Sequence, residues 1–199
     1  MLKKVFIPMV LGALFLGSCK QDDRDEPQEL SVTKDIQKLN ATSYDKWVYF
    51  SFGKGEIVEV ADPENDLSWD IALQRWYIKT NSGTSGKKGK GGAINTKATN
   101  WNLVSTAPIG NYKVDQIGTL KGWDVINNVE TEKEGSFSQE ASLYVDYISG
   151  GKYKVRNEVY VLKTANGGYA KIQFYDYTNE KLKGGYPSFR YKLSTDGKF

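Results

Sequence analysis

No histidine occurs anywhere in the 199 residues, and the two methionines, Met1 and Met9, and the one cysteine, Cys19, all fall near the start of the chain. Hydrolytic triads need a general base, usually an imidazole, so that chemistry is closed. Structural zinc needs Cys and His clusters and is closed as well. A Ser–Lys pair stays formally open, but no spacing singles one out. Asp66 and Asp70 would serve glycosidic chemistry only at a fixed separation, and on a strand they read as a solvated face. The run Gly86-Lys87-Lys88-Gly89-Lys90-Gly91-Gly92 is basic and glycine-rich, yet it lacks the GxxxxGK[ST] order that cradles a phosphate. Nothing here supports catalysis. The chain reads as a binding protein, not an enzyme.

The elements that must position such a site centre on Asp66–Ala93. Alternation at Trp69, Ile71 and Leu73, with Trp76 and Tyr77 following, predicts a strand from Trp69 to Ile78 with one buried face. At Thr80 the pattern breaks into small and basic residues, with glycines at 83, 86, 89, 91 and 92. Glycine gives up extra backbone entropy on ordering. The expectation is therefore a mobile cationic loop at the mouth of a ligand site, or, more plainly, the end of a strand.

Length predicts one globular domain. Thirteen Tyr, five Trp, eight Phe and twenty Gly favour an all-β chain with many turns. Residues 1–18 read as a bacterial export signal: Lys3 and Lys4, then an apolar core from Val5 to Leu16 too short for a permanent span. Leu16-Gly17-Ser18-Cys19 looks like a lipobox, with Cys19 the acceptor of the lipid. Residues 19–29 follow as a lipidated cysteine and a charged tether with no apolar residue to bury. The domain is expected to be 30–199. Removing the leader lysines leaves 25 Lys and Arg against 24 Asp and Glu, a near-neutral balance that argues against nucleic acid. The tether is similar to the acidic stretch that directs some Gram-negative lipoproteins to the outer face of the outer membrane.

Further strands are predicted at Lys46–Phe52, returning at Glu56–Val60, and at Leu143–Ile148. Residues 118–135 look irregular. Arg156–Thr164 and Tyr169–Tyr177 read as a hairpin around Asn166-Gly167, whose residues both accept positive φ. Ser188–Leu193 closes the sheet with Phe189, Tyr191 and Leu193 on one face.

The blocks WVYFSFGKGEIVEV (47–60), Asn65–Ala93 and Asn157–Tyr191 resemble the HmuY family of haem-binding surface lipoproteins of anaerobic Gram-negative bacteria. SWDIALQRW followed by TNSGTSGKKGKGGA is the most specific part. The resemblance implies a single compact, multi-stranded all-β domain with two protruding hairpins that hold haem between them. It also implies haem capture from host haemoproteins and delivery to an outer-membrane receptor, with a lipid anchor as the membrane attachment. Family members grip the iron with His or Met. Here the corresponding regions, about Gly122–Glu134 and Tyr147–Gly151, contain neither. Tyr147 becomes the candidate iron ligand, with Tyr144 and Tyr153 nearby and Trp123 stacking on the ring. Arg75, Lys87, Lys88 and Lys90 become candidates for pairing with haem propionates. Two readings stay open: a haem or porphyrin binder, or the same scaffold holding another small molecule or acting as a receptor accessory.

Overall fold

The computed structural model describes residues 32–124, 126–149 and 152–199. The expected leader, Cys19 and the whole tether, as well as Val125, Gly150 and Gly151, lie outside the described residues. The strands in chain order are β1 (Lys34–Ile36), β2 (Val48–Ser51), β3 (Glu56–Ile57), β4 (Ile71–Gln74), β5 (Tyr77–Thr80), β6 (Gly92–Asn95), β7 (Gln116–Asp124), β8 (Val129–Phe137), β9 (Val145–Ser149), β10 (Lys152–Val155), β11 (Val159–Lys163), β12 (Tyr169–Thr178) and β13 (Gly184–Ser194). The helical elements among the described residues are two short 3-10 turns, Trp101–Leu103 and Ala141–Tyr144. The fold is all-β.

The clearest period-two pattern builds the larger sheet, ordered β1-β13-β12-β11-β6 and antiparallel throughout. Ala170, Ile172 and Phe174 of β12 point inward with Phe189 and Tyr191 of β13, in the register Ile172↔Tyr191 and Phe174↔Phe189. They meet Phe50, Ile71, Leu73 and Ile78 from a four-stranded sheet ordered β3-β2-β4-β5. Phe189 sits at the middle of this core, edge-on to Phe50 at 5.6 Å. Truncating it to Ala would cost about 3–5 kcal/mol. On the outer face of the larger sheet, Trp101 and Val104 cover Val159 and Val161. There the buried Lys171 donates to the Val104 carbonyl at 2.9 Å and lies 4.2 Å from the Trp101 ring centroid.

Three sequence expectations change. The run from Trp69 to Ile78 is two strands, β4 and β5, reversed at Arg75 and Trp76. All four residues of β4 are buried, because Ile71 and Leu73 face the main core while Ala72 joins Trp69 in an outer cluster. Residues 118–135, which look irregular in sequence, fall within the long β7–β8 hairpin. At Asn166-Gly167 only Gly167 has positive φ, at +94°. The Gly167 N–H donates to the Thr164 carbonyl, so the connection is a type I turn closed by a left-handed glycine.

The glycine-rich loop is pinned in place. A Cβ on Gly86 would lie 2.0 Å from Asn81 Oδ1, and one on Gly89 would lie 2.0 Å from the Asn81 carbonyl oxygen. Asn81 is itself buried and donates from Nδ2 to the carbonyls of Asp66 (2.8 Å) and Trp69 (2.9 Å). Glycine is needed here for close approach to a packed side chain, not for freedom of motion.

Candidate functional site

Two hairpins project from the sheets. The β7–β8 hairpin is fixed at its base where the Tyr77 hydroxyl accepts from the Lys121 N–H at 2.7 Å and the Ser138 N–H donates to the Ile78 carbonyl at 2.7 Å. Tyr77 also packs edge-on to Phe137, centroids 5.1 Å apart. The shorter β9–β10 hairpin is stapled by Arg156, whose Nε donates to both Asp146 carboxylate oxygens at 3.0 and 3.1 Å. Tyr153 on β10 packs edge-on to the buried Tyr177 at 4.8 Å.

Between the hairpins lies a cleft of about 550 Å³, walled by Trp76, Trp123, Tyr147 and Tyr153 with Tyr44 and Arg75. A second hollow of about 340 Å³ shares Tyr44, Arg75, Lys121, Gly122 and Trp123 with it. Both volumes fall in the roughly 300–1,000 Å³ range of small-molecule sites. Tyr147 meets Tyr153 edge-on at 5.6 Å. Gly122 keeps the wall low opposite Tyr44, whose ring comes within 3.6 Å of where a Cβ would be. Lys121 is paired with Glu130 at 3.2 Å and Glu132 at 3.4 Å. A slightly larger hollow, about 600 Å³, lies at the other end of the β4–β5 hairpin beside Asp70 and the Thr164–Gly168 turn. Its walls are mostly turn backbone and small polar residues, with Tyr169 the one aromatic ring. Of these hollows, the hairpin cleft is the one walled by the most aromatic rings.

Trp123, Tyr147, Tyr153 and Arg75 are thus brought together along one cleft. Tyr144 is not. It ends the Ala141–Tyr144 turn with its ring stacked on Phe174 at 4.2 Å, and its hydroxyl donates to the Arg75 carbonyl at 3.4 Å. Complete burial raises its pKa well above the usual phenol value, so it remains a neutral core residue. Lys87, Lys88 and Lys90 do not reach the cleft either. β5 runs away from the Arg75 turn for four residues, about 13 Å. The basic loop therefore starts at the far end, where Lys87 pairs with Glu64 at 2.5 Å and the Lys90 N–H donates to the Ala165 carbonyl. Sequence reading missed Tyr44, Trp76 and Lys121. The first two come from segments whose turns carry no glycine signal.

The family model described as HmuY protein matches residues 43–191. The chain belongs to the HmuY family. Solved structures share the fold at identities too low to carry more than the fold. An apo HmuY analog of Tannerella forsythia is 23% identical, with a TM-score of 0.64 over 82% of this chain and 96% of that one. A Bacteroides vulgatus protein described as HmuY-like and heme binding is 24% identical, with a TM-score of 0.63 over 80% and 91%. Apo PinO, attributed to Porphyromonas gingivitis, is 22% identical, with a TM-score of 0.67 over 84% and 100%. No curated protein matches the chain. HmuY is a binding-protein family.

The residues present fit a planar ring but not the usual grip on its metal. Five aromatic side chains, Tyr44, Trp76, Trp123, Tyr147 and Tyr153, line the hairpin cleft with two cations, Arg75 and Lys121, and neither His nor Met occurs among the described residues. Tyr44, Glu130, Tyr147 and Tyr153 are the cleft side chains able to offer iron an oxygen; Tyr147 is 64% exposed on β9, with Tyr153 opposite it.

Proposed function

We propose that this HmuY-family chain is a surface lipoprotein that captures haem, or the porphyrin ring itself, between β7–β8 and β9–β10 for haem or iron acquisition. The observation that carries the reading is the aromatic cleft between two diverging hairpins of an HmuY fold. Trp123 and Tyr153 supply faces for the ring, and Tyr147 supplies the phenolate for ferric iron. When bound, the haem would contribute the metal; the chain binds, orients and shields the ring. Attachment through Cys19, the 19–29 tether, an outer-membrane location and transfer to a receptor complete the reading from sequence and family resemblance.

Titration of the purified chain with ferric haem tests it. A shifted and sharpened Soret band is expected, and a band indistinguishable from free haem would refute the reading. A shift lost in Tyr147→Phe assigns phenolate ligation. A shift that persists there, together with binding of iron-free protoporphyrin, assigns the affinity to the ring.

A further inference from the structure

The cations along the cleft differ in how they are satisfied. Lys121 is neutralised by Glu130 and Glu132, and Lys133 donates to the Tyr44 carbonyl at 3.3 Å. Arg75 is only 8% exposed, and no carboxylate among the described residues lies within ion-pair distance of it. Its hydrogen bond to a neighbour is long, Nη1 to the Gly184 carbonyl at 3.5 Å, and its buried Nε has no acceptor. Aromatic faces hold the cation instead: Tyr44 at 4.5 Å and Trp76 at 5.6 Å. Such faces stabilise the charge but leave the N–H edge of the guanidinium unanswered.

Two more donors nearby share this condition. Gln74 Nε2, which borders the same hollow, is buried without an acceptor. The Tyr177 hydroxyl, one layer deeper behind Tyr153, is also buried without a partner and feels the Arg75 charge. Burial raises its pKa, so it keeps the proton it can donate. Native proteins leave few buried polar atoms unpaired, and a buried charge without a counter-charge is strongly unfavourable. Arg75 also sits at φ +54°, a left-handed turn position where glycine or asparagine is the usual occupant. Strain, an unpaired cation and orphan donors coincide at one spot, the floor of the cleft.

We infer that this floor is a carboxylate receptor, and that the ligand is a planar aromatic acid held carboxylate-inward by Arg75, with Gln74 beside it, so that no metal is required for binding. The inference rests on the porphyrin reading and deepens it, since protoporphyrin carries propionates on one edge of a flat ring. The guanidinium presents two parallel N–H donors to a carboxylate, while the aromatic walls take the ring face. The exposed carboxylate of Asp45 at the side of the smaller hollow disfavours acid groups placed there.

Fluorescence titration of the purified chain with protoporphyrin IX, its zinc complex and its dimethyl ester tests this. The free acid and the zinc complex should bind within a factor of about three of each other. The ester should bind about 10- to 100-fold more weakly, the worth of one charge-assisted pair. Arg75→Gln should lower the affinity for the acid by the same factor and leave the ester unchanged. Because it removes an unpaired buried charge, this variant is expected to fold, as its circular dichroism would register. Equal binding of acid and ester, or an acid–ester difference that survives in Arg75→Gln, overturns the inference and leaves the porphyrin reading standing. If no porphyrin binds, that reading fails, and 1-pyrenebutyrate against its methyl ester decides the receptor. Preference for the acid that disappears in Arg75→Gln supports it; equal binding, or none, overturns it.

Discussion

The Arg75 guanidinium carbon lies 4.5 Å from the centroid of the Tyr44 ring. This contact ties a residue before β2 to the turn between β4 and β5 and fixes the direction of the cleft's buried cation. The Arg75 N–H donates to the Ala41 carbonyl at 2.7 Å, so the turn backbone is held from the same segment. Losing the ring face would free the guanidinium without exposing the core.

Tyr44→Ala is therefore expected to weaken porphyrin binding about 3- to 10-fold, while Tyr44→Phe, which keeps the face, leaves it within about twofold. Isothermal titration of both variants checks this. Equal losses in the two would place the hydroxyl, not the ring, in charge of Arg75.

The glycine loop gives a sharper contrast. Gly89→Ala would put a Cβ 2.0 Å from the Asn81 carbonyl oxygen, whereas a Cβ on Gly110 meets nothing within 4 Å. Gly89→Ala should destabilise the fold by about 3 kcal/mol or more, through overpacking against rigid backbone. Gly110→Ala should be neutral or stabilising by up to about 1 kcal/mol, by limiting the unfolded chain. Urea unfolding of the pair measures both. Similar midpoints would mean that the loop yields.

That loop also shows where the sequence was legible and where it was not. The sequences of β12 and β13 alternate, because one face meets the core and the other meets a thinner cover, so both strands and the inward Phe189 and Tyr191 could be read off directly. β8 carries no such signal. Its residues Val129 to Glu134 are all exposed, and no burial pattern marks a strand that projects into solvent. The Arg75-Trp76 reversal was hidden because arginine occupies a position where glycine or asparagine would have announced a turn. Tyr144 and Tyr147 are three residues apart and look equivalent in sequence. A single 3-10 turn sends one ring into the core and leaves the other at the cleft. The lysines at 87, 88 and 90 misled for a different reason. Glycines among them suggested mobility, yet the close approach to Asn81 demands those glycines and holds the loop at the far end.

A pH-dependent term follows from Asp115. Its carboxylate accepts from the Thr80 hydroxyl at 2.6 Å and from the Thr80 N–H at 2.9 Å. Burial nevertheless pushes its pKa up to about 6, with those hydrogen bonds and nearby Lys79 opposing the rise. In the folded state the group holds its proton over a range where the unfolded chain, near 3.8, has released it. Its contribution is thus fully present below the unfolded value and is lost as pH rises through the folded one. The stability of the parent chain relative to Asp115→Asn should fall by about 3 kcal/mol between about pH 3 and pH 7. Chemical unfolding across that range checks it. A difference that does not vary with pH would contradict the assignment.

The structure of the chain crystallised with protoporphyrin IX bears most directly on the whole account. Ring density between Trp123 and Tyr153, with one propionate on the Arg75 guanidinium, is the predicted result. Density in the hollow beside Asp70 and the Thr164–Gly168 turn, or a hairpin cleft closed by its own side chains, would contradict it.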